Sequence, residues 1–386
     1  MTRSDLEREA EAGRAAPVPQ LPLVSVVVVN FNYGRFLGEA LASVRAQDYP
    51  RVECILVDNA STDGSDTVIA AAVATWPDLV VVRRAENGGQ TAAAFDGLAR
   101  ARGAYVVFLD ADDTLLPHCL RVHMAVHLST RVHVGFTCAD MLQVRGDGEV
   151  VLTTNEPMAT YLRDGGTPRS ATPGLLRPTR AGLGALWDGF DPDLPNRVHL
   201  VGPRQKHWVW APTSGTCFRR DALALFADTV GAAELRTQTD LFLAFGLNAV
   251  CGSILIDEPL FSYRLHGGNA FTSRAQLAGF LSFDPVRTAD NTALARRLLM
   301  EQMVGRVDRF VAQRWQGFAF LRALHHVDRR DSSGSFAATA IARAPERFVG
   351  QVGPWLTALF LLGKRGSARA LGRVLRLALG GGGGVR

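Results

Sequence analysis

Three carboxylates fall within four residues at Asp110, Asp112 and Asp113, directly after the apolar run 105–109. Like charges packed this closely repel, so something must compensate them. A divalent cation with oxygen ligands does so, since Mg²⁺ or Mn²⁺ takes one or two carboxylates plus substrate phosphates. An acid at this place can also cap a helix start, here before the helix-like segment 115–127. One Asp suffices for a cap, and three exceed it. Two more polar side chains end apolar runs: Asn32 follows 24–29 and Asp58 follows 52–57. If these runs are parallel strands, their carboxyl ends share one edge, the place where open α/β sheets bind ligands. The turn after the first run, NFNYG, carries one glycine, and no Walker A loop is present. Without a glycine cradle, a nucleotide diphosphate must be neutralised otherwise, and a metal on Asp110 and Asp112 would do it.

The elements that must position these groups read clearly. The run 24–29 is β-branched and apolar throughout, as a central parallel strand should be. Residues 35–46 place Phe36, Leu37, Ala40, Leu41 and Val44 on one helical face. A strand at 52–57, turn chemistry over 58–65, a helix over 68–76, a strand at 79–82, a turn at 87–89 and a helix over 90–101 follow. The strand 105–109 comes next. Strands alternating with helices at intervals of about 25 to 30 residues form a right-handed βαβ succession. Further strands are expected at 132–138 and 213–218, a short helix after 219–221, and an apolar helix over 241–247 opened by Thr239 and Asp240. The stretch 153–212, rich in Pro, Gly and Arg, lacks periodicity, and a loop of this length is expected to be functional or disordered. In it, His207, Trp208 and Trp210 either line a pocket or pack in the core.

After Gly268 the pattern turns helical, over 294–330, 335–343 and 367–379. An apolar run at 355–362 is followed by Lys364, Arg365, Arg369, Arg373 and Arg376, with Leu371, Val374, Leu375 and Leu379 between them. This basic amphipathic pattern can lie on an anionic membrane surface, or pack on the rest of the chain with its arginines in water.

Composition excludes little but bounds the class. At 47% hydrophobic and 20% charged residues the chain is that of an ordinary globular protein. A net charge of +5 permits anionic partners, nucleotide phosphates or acidic lipids, and gives no reason to expect nucleic acid. The five cysteines form no CxxC pair, so neither a zinc knuckle nor a disulfide scaffold is indicated, which fits a reducing cytosol. No apolar run reaches the roughly 18 to 20 residues of a membrane span, so a cytoplasmic protein, at most peripheral on the inner face of a membrane, is expected.

The segments VSVVVVNFNYGRFLGEALASVRAQDYP, ECILVDNASTDGS and NGGQTAAAFDGLARARGAYVVFLDADD, followed by SGTCFRR, QTDLFLAF and EPLFSYRLH, resemble the family 2 glycosyltransferases in order and spacing. The resemblance covers roughly residues 24–266 and implies the GT-A fold: α/β, a mainly parallel sheet between helices, here with a helical C-terminal extension. It implies the transferase domain at 21–268 with 153–212 as its acceptor-side insertion or lid, while composition and periodicity give a flexible leader at 1–20 and a helical extension with a Gly-rich tail at 269–386. It implies a nucleotide-sugar donor, usually a UDP-sugar, and a saccharide or lipid-linked acceptor, in polysaccharide or glycoconjugate synthesis. By the same likeness, Asn32, Tyr33 and Asp58 hold the nucleotide, Asp110 and Asp112 form the metal-binding DxD motif for Mg²⁺ or Mn²⁺, and His266 lies near the metal or diphosphate. Asp240 is the catalytic base, the second acid of a pair whose first position is Thr239 here. Phe95-Asp96 stands where the family commonly has Arg-Asn. Two other classes share parts of this pattern. They are a sugar-nucleotide nucleotidyltransferase, which would carry a Gly/Arg-rich phosphate loop that NFNYG lacks, and a non-catalytic nucleotide-sugar or glycan-binding protein.

Overall fold

Seven consecutive residues, Val24–Asn30, are buried on both faces, which only a central strand of a covered sheet allows. This strand, β1, organises the fold. The computed structural model describes residues 20–145, 148–163, 171–177, 191–269, 285–312, 317–328, 330–331, 334–364 and 366–380. Residues 1–19 of the expected leader at 1–20, most of the Gly-rich tail, and 164–170 and 178–190 of the expected lid lie outside these residues.

The chain continues through α1 (Gly34–Arg45), β2 (Val52–Asp58), α2 (Ser65–Thr75), β3 (Val80–Arg83), α3 (Gln90–Arg100) and β4 (Tyr105–Asp110). The short β5 (Thr114–Leu115), α4 (Cys119–Ser129), β6 (Phe136–Arg145) and β7 (Val150–Leu152) follow. Then come α5 (Glu156–Leu162), β8 (Val198–Val201), β9 (Thr216–Arg219), α6 (Arg220–Leu223), α7 (Thr239–Cys251) and β10 (Ser253–Leu265). The main sheet runs β3-β2-β1-β4-β9-β6-β10-β5, with β7 on β6 and β8 on β10. Its first four strands are parallel, as the βαβ pattern requires. Beyond β4 it is mixed: β9 runs antiparallel to both β4 and β6, while β6 and β10 are parallel. Helix α3 lies so close over β1 that a Cβ on Gly97 would stand 2.2 Å from Val27 Cγ1, a contact only glycine permits.

Two boundaries differ from the sequence reading for physical reasons. Strand β6 starts at Phe136 and runs to Arg145, because the thirteen-residue β10 offers it a long parallel partner. The expected helix 294–330 is instead broken into α8 (Pro285–Gly305), α9 (Val307–Ala312) and α10 (Gly317–Val327), the first ending on a glycine.

The last helices are α11 (Phe336–Arg343), α12 (Pro345–Val352), α13 (Pro354–Leu361) and α14 (Ala368–Gly380). They share a core with the sheet region through an aromatic file. Phe226 stacks near Phe310 (5.6 Å), Phe310 on Phe320 (5.9 Å), and Phe320 near Phe348 (6.0 Å). Gln302 Nε2 donates to the Leu225 carbonyl (2.9 Å) and to Asp228 (2.8 Å), tying α8 to the same place. Gly246 on α7 leaves the room that Leu299 fills. All five cysteines are unpaired thiols, four of them buried.

Candidate active site

The parallel register sets Asn30 beside Asp58 and Val29 beside Asp110, so three strand ends lie at one edge. A cavity of about 780 Å³ opens there. Asp110, Asp112, Asp113, Asp240 and Leu241 line it, together with Tyr33, Asn59 and Gln90.

Each acid is held differently. Both oxygens of Asp110 accept from Gln90 Nε2, at 2.8 and 3.0 Å. Burial, reinforced by the neighbouring charge of Asp112, raises its pKa to about 7 despite the Gln90 hydrogen bond, and Asp240 adds to the rise. Asp113 is an anchor: one oxygen accepts from Ser214 Oγ (2.7 Å), the other from the Arg264 backbone N–H (3.1 Å). Burial pushes its pKa well up. It caps no helix, since α4 begins six residues later at Cys119. Arg264 continues the frame by donating to the Asp112 carbonyl (3.0 Å) and to Glu39 (2.6 Å).

Asp112 Oδ2 meets His266 Nε2 at 3.1 Å. The other ring nitrogen, Nδ1, receives the Gly268 backbone N–H at 3.1 Å, so in the neutral ring the proton sits on Nε2. His266 thus donates to Asp112, one of the two acids expected to bind the metal. Tyr33 lies edge-on to this imidazole (5.4 Å) and Phe36 packs against it (4.9 Å), fixing its plane. Burial and the three nearby aspartates push the Tyr33 hydroxyl pKa far up.

Asp240 sits in the first turn of α7, whose N-cap is Gln238 in the left-handed region (φ 67°). Asp240 is therefore not the cap. Its Oδ1 accepts from the Leu241 N–H at 2.7 Å, and burial raises its pKa to about 6 against that bond. Thr239 turns away from the cavity. Its hydroxyl bonds Thr91 Oγ1 (2.9 Å) and donates to Gln90 Oε1 (3.3 Å). Gln90 therefore joins Asp110 to the start of α7. Gly89 permits this approach: its φ is +87°, and a Cβ there would stand 2.5 Å from Arg236 Cα.

Two residues expected at the nucleotide, Asn32 and Asp58, are tied into the edge by their own hydrogen bonds. Asn32 and Asp58 are not among the residues lining the cavity. Asn32, at φ 58°, spends its Oδ1 on the Thr62 N–H (2.7 Å), pinning its own turn. Asp58 is buried at the end of β2, and its Oδ1 accepts from Asn30 Nδ2 at 3.0 Å. Their neighbours Phe31, Tyr33 and Asn59 face the opening instead. Trp210 is likewise core, fully buried with its indole N–H on Ser253 Oγ (2.9 Å), whereas His207 and Trp208 line the cavity. Asp96, at the unusual Phe95-Asp96 position, pairs with Arg84.

Sequence reasoning missed Gln90, Asn59 and Arg296. Arg296 reaches the cavity from α8, its guanidinium 4.1 Å from the centre of the Phe245 ring. Only the glutamine directly after Asn87-Gly88-Gly89, at a helix start facing the acids, offered any signal.

No three His, Cys, Asp or Glu side chains among the described residues converge as a self-sufficient metal site. Asp110 and Asp112 supply two hard carboxylates, which suits an ion completed by water and substrate phosphate. Asp112 Oδ1 is the oxygen that His266 leaves uncommitted.

Residues 25–140 match the family described as glycosyl transferase family 2. A protein of a Nostoc species named an uncharacterized glycosyltransferase is 28% identical over 253 residues, 65% of this chain and 67% of its own length. The O-antigen biosynthesis protein RfbC of Myxococcus xanthus is 34% identical over 179 residues, 46% of this chain and 14% of its own length. The chain thus spans about two thirds of one relative and about a seventh of the other. Among solved structures, TarS 1-349 of S. aureus in complex with UDP overlays with a TM-score of 0.47 and 14% identity, over 93% of this chain and 92% of that one.

Proposed function

This chain belongs to the family 2 glycosyltransferases, and from that premise we propose that it moves a sugar from a nucleotide-sugar donor to an acceptor hydroxyl in one inverting displacement. The observation that carries this reading is the convergence of Asp110, Asp112 and Asp240 on one cavity, joined through Gln90 and Thr239.

In this reading the donor's nucleoside lies against Phe31, Tyr33 and Asn59, and its diphosphate faces Asp110 and Asp112. These two carboxylates would hold a Mg²⁺ or Mn²⁺ ion, which when bound neutralises charge on the diphosphate. His266 keeps Asp112 oriented through Nε2–H, and Gln90 does the same for Asp110. Asp240, with a pKa near 6, is ionised at neutral pH and takes the acceptor hydroxyl proton. The hydroxyl oxygen bonds to the anomeric carbon as the bond to the phosphate oxygen breaks. That electron pair leaves on the nucleoside diphosphate. A positioned base contributes about 10² to 10⁴ in rate. Trp208 and His207 border the side from which an acceptor sugar would enter.

Incubation with a panel of nucleotide sugars and Mn²⁺ tests the proposal. Release of nucleoside diphosphate from one of them, slow with water and faster with an acceptor, is expected. Pyrophosphate-dependent exchange would identify a nucleotidyltransferase instead, and tight binding without turnover a non-catalytic sugar-nucleotide binder.

A further inference from the structure

The C-terminal helices carry a surface that the reaction does not use. On α13, Trp355 and Leu359 follow at i and i+4 and are 67% and 63% exposed, Leu362 directly after the helix is 60% exposed, and Thr357, Ala358 and Leu361 are buried against the protein. Helix α14 packs beside it and divides into three stripes. Ala370 and Val374 are buried and Leu371 is half-buried against the core, Leu375 and Leu379 form an outward apolar row, and Arg369, Arg373 and Arg376 form a basic row beside it. Large apolar side chains exposed together mark an interaction surface.

Charge decides what covers it. Residues 347–386 contain seven Lys and Arg and no Asp or Glu, while the other residues carry 35 basic against 37 acidic groups, a net −2. The positive charge of the protein is therefore concentrated on this end of the chain. A second copy seated here would set like charge on like charge. Of the basic groups, Lys364 pairs with Asp328 and Arg373 donates to the Ala342 carbonyl (2.7 Å), whereas Arg369 and Arg376 point outward. A Trp/Leu face bordered by arginine is the arrangement by which a helix lies in the headgroup region of a bilayer. No described helix is long and apolar enough to cross a membrane.

We propose that the outer face of α13 and α14 seats this protein on an anionic lipid bilayer, with Trp355, Leu359, Leu362 and Leu379 in the interface and Arg369 and Arg376 against lipid phosphates. The inference stands independently of the glycosyl-transfer reading, since none of these residues touches the cavity.

The test is co-sedimentation of the full chain with vesicles of phosphatidylcholine alone and of phosphatidylcholine mixed with phosphatidylglycerol. Partitioning at least about tenfold stronger onto the mixed vesicles, and falling with salt, is expected. The paired change Trp355→Ser and Leu359→Ser should weaken it at least about tenfold. The pair Arg369→Glu and Arg376→Glu should remove the preference for anionic vesicles, at about five-fold per arginine lost. All four positions are exposed, so circular dichroism and melting temperature should match the parent, which separates lost docking from lost folding. The proposal is overturned if the parent binds neither vesicle, if the variants bind as the parent does, or if the Trp355/Leu359 pair instead abolishes self-association in solution.

Discussion

Replacing Asp240 by Asn tests the proposed chemistry at its most exposed point. The Leu241 N–H that Asp240 Oδ1 accepts at 2.7 Å finds an equivalent oxygen in asparagine, so the first turn of α7 should keep its geometry. The variant loses a carboxylate near a helix N-terminus, about 0.3 to 1 kcal/mol, and also loses the cost of a buried charge. Stability should therefore move by about 1 kcal/mol or less. Activity should not be spared. A general base of this kind contributes about 10² to 10⁴, so release of nucleoside diphosphate should fall by about that factor while nucleotide affinity stays within about threefold. The pH profile adds an independent signature. Burial holds the Asp240 pKa at about 6, and the base works only when ionised, so parent kcat/KM should rise between pH 5 and 7 and level off above. In Asp240→Asn that rise should vanish with the rate. Near-parental turnover, or an unchanged rise near pH 6, would refute the assignment of Asp240 as the base.

Asp112→Ala should abolish divalent-dependent turnover and weaken nucleotide binding in Mn²⁺ but not in chelator, as read by calorimetry. Because the Asp110 pKa is raised to about 7 and that of Asp113 is also raised, the fold favours their protonated forms. Their contribution to stability is fullest at low pH; that of Asp110 is lost as pH climbs from about 4 through 7, and that of Asp113 is lost in the same direction. Mn²⁺ should accordingly raise the melting temperature more at pH 8 than at pH 5, and an equal shift at both would remove the metal from these acids. Asp113→Ala strands the Ser214 hydroxyl and the Arg264 N–H, and should cost about 2 to 4 kcal/mol in urea unfolding. Trp208→Ala should raise acceptor KM and leave donor affinity unchanged, whereas Trp210→Phe, which loses the Ser253 bond, should lower stability by about 1 kcal/mol and leave KM alone.

What the sequence determined by itself follows from local patterns. Runs such as Val24–Asn30 and Tyr105–Asp110 are apolar enough that only buried strands suit them, and the helices between force the strands parallel. From that, the acids at the end of β4 and the polar ends of β1 and β2 had to share an edge. Asp240 was legible through the family resemblance and lands on the same cavity. Side-chain direction at those edges was not legible. A shift of one position along an extended chain reverses the face a residue presents, so Phe31 and Asn59 line the cavity while Asn32 and Asp58 beside them do not. Partners far along the chain decided the remainder. Asp113 is an anchor only because Ser214 and Arg264 arrive beside it, and His266 is a proton donor only because Gly268 occupies its other nitrogen. The arginine at 296 enters the cavity because Gly246 lets α8 close on α7. Periodicity encodes which face is buried, but a hydrogen bond between residues a hundred positions apart exists only once the sheet has brought them together.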